Sequence, residues 1–221
     1  MMRPDEDIER VIKSSPEVDE RWKQVEREWA AEHRLVALAG SDALTQATLA
    51  DGVNNQLGHG AFSRVYEIDE NWVLKLSRDW TTLKVMEELQ SRSSRFPRIE
   101  RLMENQAKYE NCVYHAAIIE RLEEGFPVWV RSVVDGYRQP FRANSAHSAS
   151  IRLRHVSFMI SNGDIVVPPK DVQPLSEAIG ALADVCWSEK CMADLRYEGN
   201  FMMRKNGEVV ISDPAHPEAE M

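Results

Sequence analysis

From Gln56 onward, the spacing of apolar residues changes from helical to alternating. "SRVYEI" and "NWVLKL" alternate around a compact "DEN" turn and predict two antiparallel strands. Residues 79–92, "DWTTLKVMEELQSR", return to helical spacing, with Leu83, Met86 and Leu89 on one stripe. "RIERLMENQ" and "YHAAIIERL" then read as a second strand pair around a polar turn. The predicted order is two strands, a helix, and two more strands. Residues 123–173 mix short apolar runs with "GYRQPFRANSAHSAS" and "SNGDIVVPPKD" and show no clear period. Residues 174–188, "PLSEAIGALADVCWS", form the best helical pattern, with Pro174 at the start and a stripe of Leu175, Ile179, Leu182 and Val185 or Cys186. "CMADLRYEGNFMMRKNGEVVISDPA" follows, a loop and then a hairpin turning at Lys205-Asn206-Gly207.

Residues 1–50 read as helical and polar, broken by Pro16. Gly40 is the stop signal, and Ser41 or Asp42 can cap a further short helix. A helical layer packed on the next domain is expected here, rather than a free interaction arm. The chain thus divides into a helical extension (1–50), a sheet-bearing unit with one helix (51–122) and a mostly helical unit (123–221). The fold class expected is α+β.

Composition narrows the function classes. With 43% hydrophobic and 29% charged residues, the 221-residue chain is globular in type. No apolar run reaches the roughly 20 residues needed to span a bilayer. The opening "MMRPDEDIER" lacks the apolar region of a signal peptide. Cys112, Cys186 and Cys191 form no CxxC pair and no even framework, which suits reduced thiols in a cytoplasmic protein. A net charge of −9 argues against direct nucleic-acid binding. Arg131, Arg138, Arg142, Arg152 and Arg154, with His147 and His155, make a locally basic stretch, read as a solvated loop, with an acidic-partner dock as the alternative. The two histidines have no Cys or carboxylate at zinc spacing, and no Gly-x-Ser-x-Gly anchors a serine hydrolase.

The candidate chemistry starts in "QLGHGAFSRVYEIDENWVLKLS", residues 56–77. Gly58 and Gly60 allow backbone amides to approach phosphate oxygens. A dinucleotide fingerprint would need a third glycine and a helix, whereas this chain has Ser63 and a strand. A glycine loop between two strands, with Phe62 at its tip and Lys75 on the second strand, fits a loop folded over a triphosphate and a lysine gripping it. Such a lysine needs a carboxylate to hold it. Glu87 and Glu88 on the following helix are candidates, about 100° apart around the helix, so only one of them can face Lys75; Glu87 is preferred, and two solvated helix glutamates are the alternative. Downstream, Asp194, Asn200 and Asp213 provide a carboxylate to orient an attacking hydroxyl and two ligands for a hard cation. Asn200 and Asp213 flank the predicted hairpin and can point into one site.

Taken together, "LGHGAFSRVYE", "WVLKLS", "YHAAIIERL" and "DLRYEGNFMMRKNGEVVISDP" resemble, in the same order, stretches of protein kinases, and more closely of the early serine/threonine kinases of T7-like bacteriophages. The resemblance covers residues 56–122 and 174–215. It implies a minimal two-lobed kinase-like fold with Mg-ATP as cofactor and host bacterial proteins as substrates, in the cytoplasm of an infected cell. It further implies that Gly58, Gly60, Phe62, Ser63 and Val65 cover the nucleotide and that Lys75 grips the α and β phosphates. Glu120, Arg121 and Leu122 would form a hinge against adenine, mostly through backbone groups. Asp194 would orient the hydroxyl, Arg196 steady the γ-phosphate, and Asn200 and Asp213 bind the metal.

The chain departs from that family in three ways. Asn200 follows Asp194 by six residues instead of five, so either a bulge at Tyr197-Glu198-Gly199 restores the geometry or the loop is inactive. Asp-Phe-Gly is replaced by Asp213-Pro214-Ala215. Only eight residues follow Asp213, an expectation of no activation segment. The alternatives are a pseudokinase that binds and inhibits a host protein, and a small-molecule phosphotransferase of the aminoglycoside-kinase type.

Overall fold

The computed structural model describes residues 34–59, 63–138 and 145–217. Its centre is a six-stranded antiparallel sheet. Strand β1 is Val36–Ala37, β2 Gln56–His59, β3 Ser63–Glu67, β4 Trp72–Ser77, β5 Ile99–Tyr109 and β6 Cys112–Glu120, in the order β1-β5-β6-β4-β3-β2. The β3–β4 turn is closed by Asp69, whose Oδ1 accepts the N–H groups of Asn71 (2.7 Å) and Trp72 (2.9 Å). Register then puts Val65 opposite Lys75 and Tyr66 opposite Leu74.

Strict alternation sends neighbouring residues to opposite faces. Leu74, Leu76, Tyr66, Tyr114, Ala116 and Ile118 pack on one face together with Leu35 and Leu49. Val73, Ala117 and Ile119 pack on the other with Leu83. Leu83 belongs to helix α2, Trp80–Arg92, whose N-terminus is capped by Asp79 through the Thr81 N–H. Leu49 belongs to helix α1, Ala43–Asp51, where the Asp42 carboxylate accepts the Leu44 N–H at 2.9 Å. Residues 34–51 therefore supply an edge strand and a helix to the sheet layer, and the sheet-bearing unit begins ahead of residue 51. The remainder of the predicted helical extension, residues 1–33, lies outside the described residues.

The second half holds helices α3 (Trp129–Arg138), α4 (Ala146–Asn162) and α5 (Pro169–Glu189). Two of them fall in the stretch without a legible period. In α4 the pattern is partly inverted: Ser150 and Arg152 are buried while Ile151 and Phe158 are exposed. Its ends are nevertheless well marked, by a Ser145–Ser148 capping box and by Gly163 in the left-handed region. Helix α5 starts five residues before the expected point. Pro169 occupies the first turn, and Pro174 lies inside the helix. The predicted stripe of Leu175, Ile179, Leu182 and Cys186 is fully buried.

Among the described residues, the arginines read as a solvated loop are instead helical, and three of them are paired. Arg152 donates to the Tyr137 carbonyl at 3.0 Å, Arg154 pairs with Asp184, and Arg138 lies near Asp135 and Glu198 and donates to the Arg196 carbonyl. Arg142 lies outside the described residues, and His147 packs against the Trp187 ring at 4.8 Å.

Beyond α5, two short ladders complete the fold. Strand β7 (Cys191–Ala193) pairs with β10 (Ala215–Pro217), and β8 (Phe201–Met203) with β9 (Val209–Ile211). The β8–β9 hairpin turns where expected, with Gly207 at φ +80. The largest core cluster joins Val85 and Leu89 of α2 and Phe96 to residues of α3, α4, α5 and both ladders. Helix α2 is thus buried on two sides, against the sheet and against the helical half.

Candidate functional site

Lys75 is buried on β4 between its register partners Val65 on β3 and Ala117 on β6. Its Nζ lies 3.0 Å from Asp213 Oδ1, 138 residues away in sequence, and 3.9 Å from the Met86 sulfur. Asp213 keeps 44% of its side chain exposed, so this carboxylate spans from a buried cation to the surface.

The expected glutamate partner of Lys75 is not there. Glu87 is exposed, and Glu88 pairs with Arg92 one turn along. Helical phase explains this outcome. The stripe Leu83, Met86 and Leu89 is the buried face of α2, so the residue brought to Lys75 is Met86, and Glu87 points about 100° away.

The two ladders bring the downstream residues together. Pairing of β7 with β10 lets the Asp194 N–H donate to the Pro214 carbonyl at 2.9 Å, which sets Asp194 beside Asp213. Between Asp194 and Asn200 the chain forms a 3-10 turn, Glu198–Asn200, at the place where either a bulge or an inactive loop was expected. Leu195, by contrast, is locked into the core. The turn points Asn200 back, so that its Nδ2 donates to the Asp194 carbonyl at 2.5 Å, while its own carbonyl accepts the Ser212 N–H at 2.8 Å. Asp194, Asn200, Asp213 and Lys75 form one connected group.

Burial pushes the Asp194 carboxyl above the usual carboxylate range, and the charge of Asp213 adds to this. A hydrogen bond from Asn200 and the charges of His216 and Arg196 act the other way. His216 was not anticipated. It lies on β10 three residues past Asp213, and only the β7–β10 pairing brings it near Asp194. Arg196 is half-buried, and its carbonyl is held by Arg138 Nε at 2.8 Å.

The glycine loop is described in part. Gly58 pairs with Val65 after a register shift, and among the described residues a side chain there would meet nothing within 4 Å. Ser63 pairs with Ser77, and Val65 packs half-buried against the Val73–Leu83 cluster. Gly60 and Phe62 lie outside the described residues.

At the end of β6, Glu120 behaves differently from a ligand-facing residue. Its side chain is buried and accepts from Arg204 Nε at 2.5 Å and from Arg204 Nη2 at 2.9 Å. The N–H groups of Glu120, Arg121 and Glu123 donate to Arg98, Asn71 and Met203 carbonyls at 2.8, 2.7 and 2.7 Å. The backbone of Leu122, half-buried between them, is the part of this run outside those bonds. The Arg204 cluster was also missed from sequence, where a lone Arg before a turn carries no distinguishing signal.

Among the described residues, no three His, Cys, Asp or Glu side chains converge as a metal cluster, and no helix is long and apolar enough to cross a membrane. No family model matches the chain, and no curated protein is significantly similar to it. The class that the fold defines is an α+β protein with an antiparallel six-stranded sheet and five helices among the described residues.

Proposed function

We propose that this chain is an ATP-dependent phosphotransferase, a serine/threonine protein kinase of the phage type acting on host bacterial proteins. The observation that carries the reading is the Lys75–Asp213 pair, at 3.0 Å, with Asp194 and Asn200 joined to it. A buried ammonium group carries three protons. Asp213 takes one and the Met86 thioether is a weak acceptor, which leaves donor capacity suited to an anionic ligand.

Mg-ATP, when bound, would supply the phosphoryl group and the cation that neutralises its charge. Mg²⁺ characteristically takes one or two protein carboxylates and completes its shell with phosphate and water; Asp213 would supply the carboxylate, with the Asn200 amide oxygen as a neutral ligand. In this reading Lys75 binds phosphate oxygens, Gly58 leaves room for the loop above them, and the Leu122 backbone meets adenine. Asp194 orients the substrate hydroxyl. Its upward-shifted carboxyl is better suited to accept a proton than an ordinary surface aspartate.

The test is transfer from γ-labelled ATP with Mg²⁺, onto the protein itself and onto a bacterial lysate, with Asp213→Asn as the control. Label on discrete proteins that vanishes in the control supports the kinase. A second reading, a nucleotide-binding pseudokinase that inhibits a host protein, draws on Met86 occupying the place of a carboxylate beside Lys75. ADP binding without any transfer would favour it.

A further inference from the structure

Asn200 and Asp213 stand at the open end of the β8–β9 hairpin, which the Ser212 N–H to Asn200 carbonyl bond closes at 2.8 Å. Near the closed end, Arg204 distributes its donors over four partners. Nε and Nη2 grip the two Glu120 oxygens at 2.5 and 2.9 Å. Nη1 reaches the Ser94 carbonyl at 2.7 Å and Glu208 at 2.8 Å, and Nη2 reaches the Phe96 carbonyl at 3.1 Å. Glu120 is the last residue of β6, the strand hydrogen-bonded to the Lys75 strand. Its buried carboxylate is further fixed by the Arg98 N–H at 2.8 Å. Arg95 reinforces the contact. Its Nη1 donates to the Val209 carbonyl at 3.1 Å and its own carbonyl accepts the Ile211 N–H at 2.8 Å.

We infer that Arg204, through Glu120, is a positioning residue that sets where Asn200 and Asp213 stand relative to Lys75. The hairpin connects to the sheet through this cluster, through the Glu123–Met203 bridge and through Lys205, whose Nζ donates to the Glu70 carbonyl in the β3–β4 turn at 3.3 Å. The Lys75 strand and the hairpin must hold a fixed separation if one ligand is to touch both. A planar guanidinium meets a carboxylate in two-point fashion and still has donors for the turn carbonyls; an ammonium group lacks that geometry. The consequence for metal binding rests on the proposed phosphotransferase reading, whereas the mechanical link does not.

The experiment compares Arg204→Lys and Glu120→Gln with wild type, using Arg154→Lys on the helical surface as the control. Two quantities are read: amide exchange at Ser212, and the Mg²⁺ concentration giving half-maximal transfer from γ-labelled ATP. We expect exchange at Ser212 to speed up and the Mg²⁺ requirement to rise, each by about tenfold, on loss of charge-assisted hydrogen bonds. The control leaves both unchanged. A lower melting temperature with wild-type Ser212 exchange and wild-type Mg²⁺ dependence would overturn the inference and leave Arg204 a stability contact only. If wild type transfers no phosphate at any Mg²⁺ concentration, the kinase reading falls, and Ser212 exchange alone decides the link. Should Arg204→Lys fail to fold, Glu120→Gln, which keeps the shape and one acceptor oxygen, gives the same reading.

Discussion

Lys75 carries a different partnership from the one that its sequence neighbours suggest. The helix that follows it has two adjacent glutamates, yet the ion pair is made with a carboxylate 138 residues away. Replacing Lys75 with Met removes the donor while keeping the aliphatic stem. On the proposed function, transfer should fall by about 10²-fold or more, with folding retained, since a preorganised charge has been lost. Glu87→Gln should leave the rate unchanged; a large loss there would mean that α2 rotates to bring Glu87 inward in the working state. Asp194 and Glu120 titrate with opposite consequences. The folded pKa of Asp194 is raised, so its contribution to stability is present below the ordinary aspartate value and lost as pH rises through the folded value. Asp194→Asn is therefore expected to raise the unfolding midpoint at pH 7, with the gain shrinking as pH approaches the ordinary aspartate value. For Glu120, burial pushes the pKa up, but the Arg204 and Arg98 hydrogen bonds and charges outweigh it and the net shift is downward. Its contribution is present above the ordinary glutamate value and lost as pH falls through the folded value. In Glu120→Gln the stability deficit should be greatest near neutrality and diminish in acid, which urea titrations at several pH values would read.

At the scale of elements, the patterns that could be read are apolar runs of strand length, helices with one apolar stripe, and a turn marked by glycine. Strands β3, β4 and β6, helices α2 and α5, and the hairpin turn at Gly207 are of these kinds. Helices α3 and α4 do not announce themselves. In α4, Ser150 and Arg152 are buried, Arg152 against the Tyr137 carbonyl, and Ser157 and Ser161 bond to Ser176 of α5, so polar residues stand where a stripe should be apolar. The start of α5 was misread because Pro174 looks like a first-turn proline, whereas Pro169 fills that role and Pro174 costs only a bond near the helix start. The cap of α2 matters to the site because that helix delivers Met86 to Lys75. Asp79→Ala should destabilise the protein by about 1 kcal/mol, seen as a lower urea midpoint at constant slope. No change would show that the Thr81 contact contributes nothing beyond solvent.

Across the whole molecule, helix α2 and Phe96 carry the sheet-bearing half into the core of the helical half, while the sheet keeps clusters of its own. Leu89 of α2 is fully buried in the same cluster as Leu182 of α5 and Phe201 of β8. Leu89→Ala is expected to cost about 2–5 kcal/mol, the range for a large cavity in a packed core. Because α2 links sheet and helices, the unfolding curves followed by sheet and helix probes should coincide in wild type. Separate transitions, with the sheet melting apart from the helices, would contradict the shared core.

The sequence by itself determined the alternating strands around Lys75, the buried stripe of α2, the helix ending near Ser188 and the turn at Gly207, because each follows from local periodicity or backbone preference. It also marked Lys75, Asp194, Asn200 and Asp213 as residue types suited to one chemistry. Only the tertiary structure decided which of them meet. The Lys75–Asp213 pair, the place of His216 near Asp194 and the Arg204–Glu120 link all join residues on separate strands and turns. Their distances depend on how β7 pairs with β10 and how the hairpin packs on the sheet. Those are non-local pairings, and no periodicity along the chain records them.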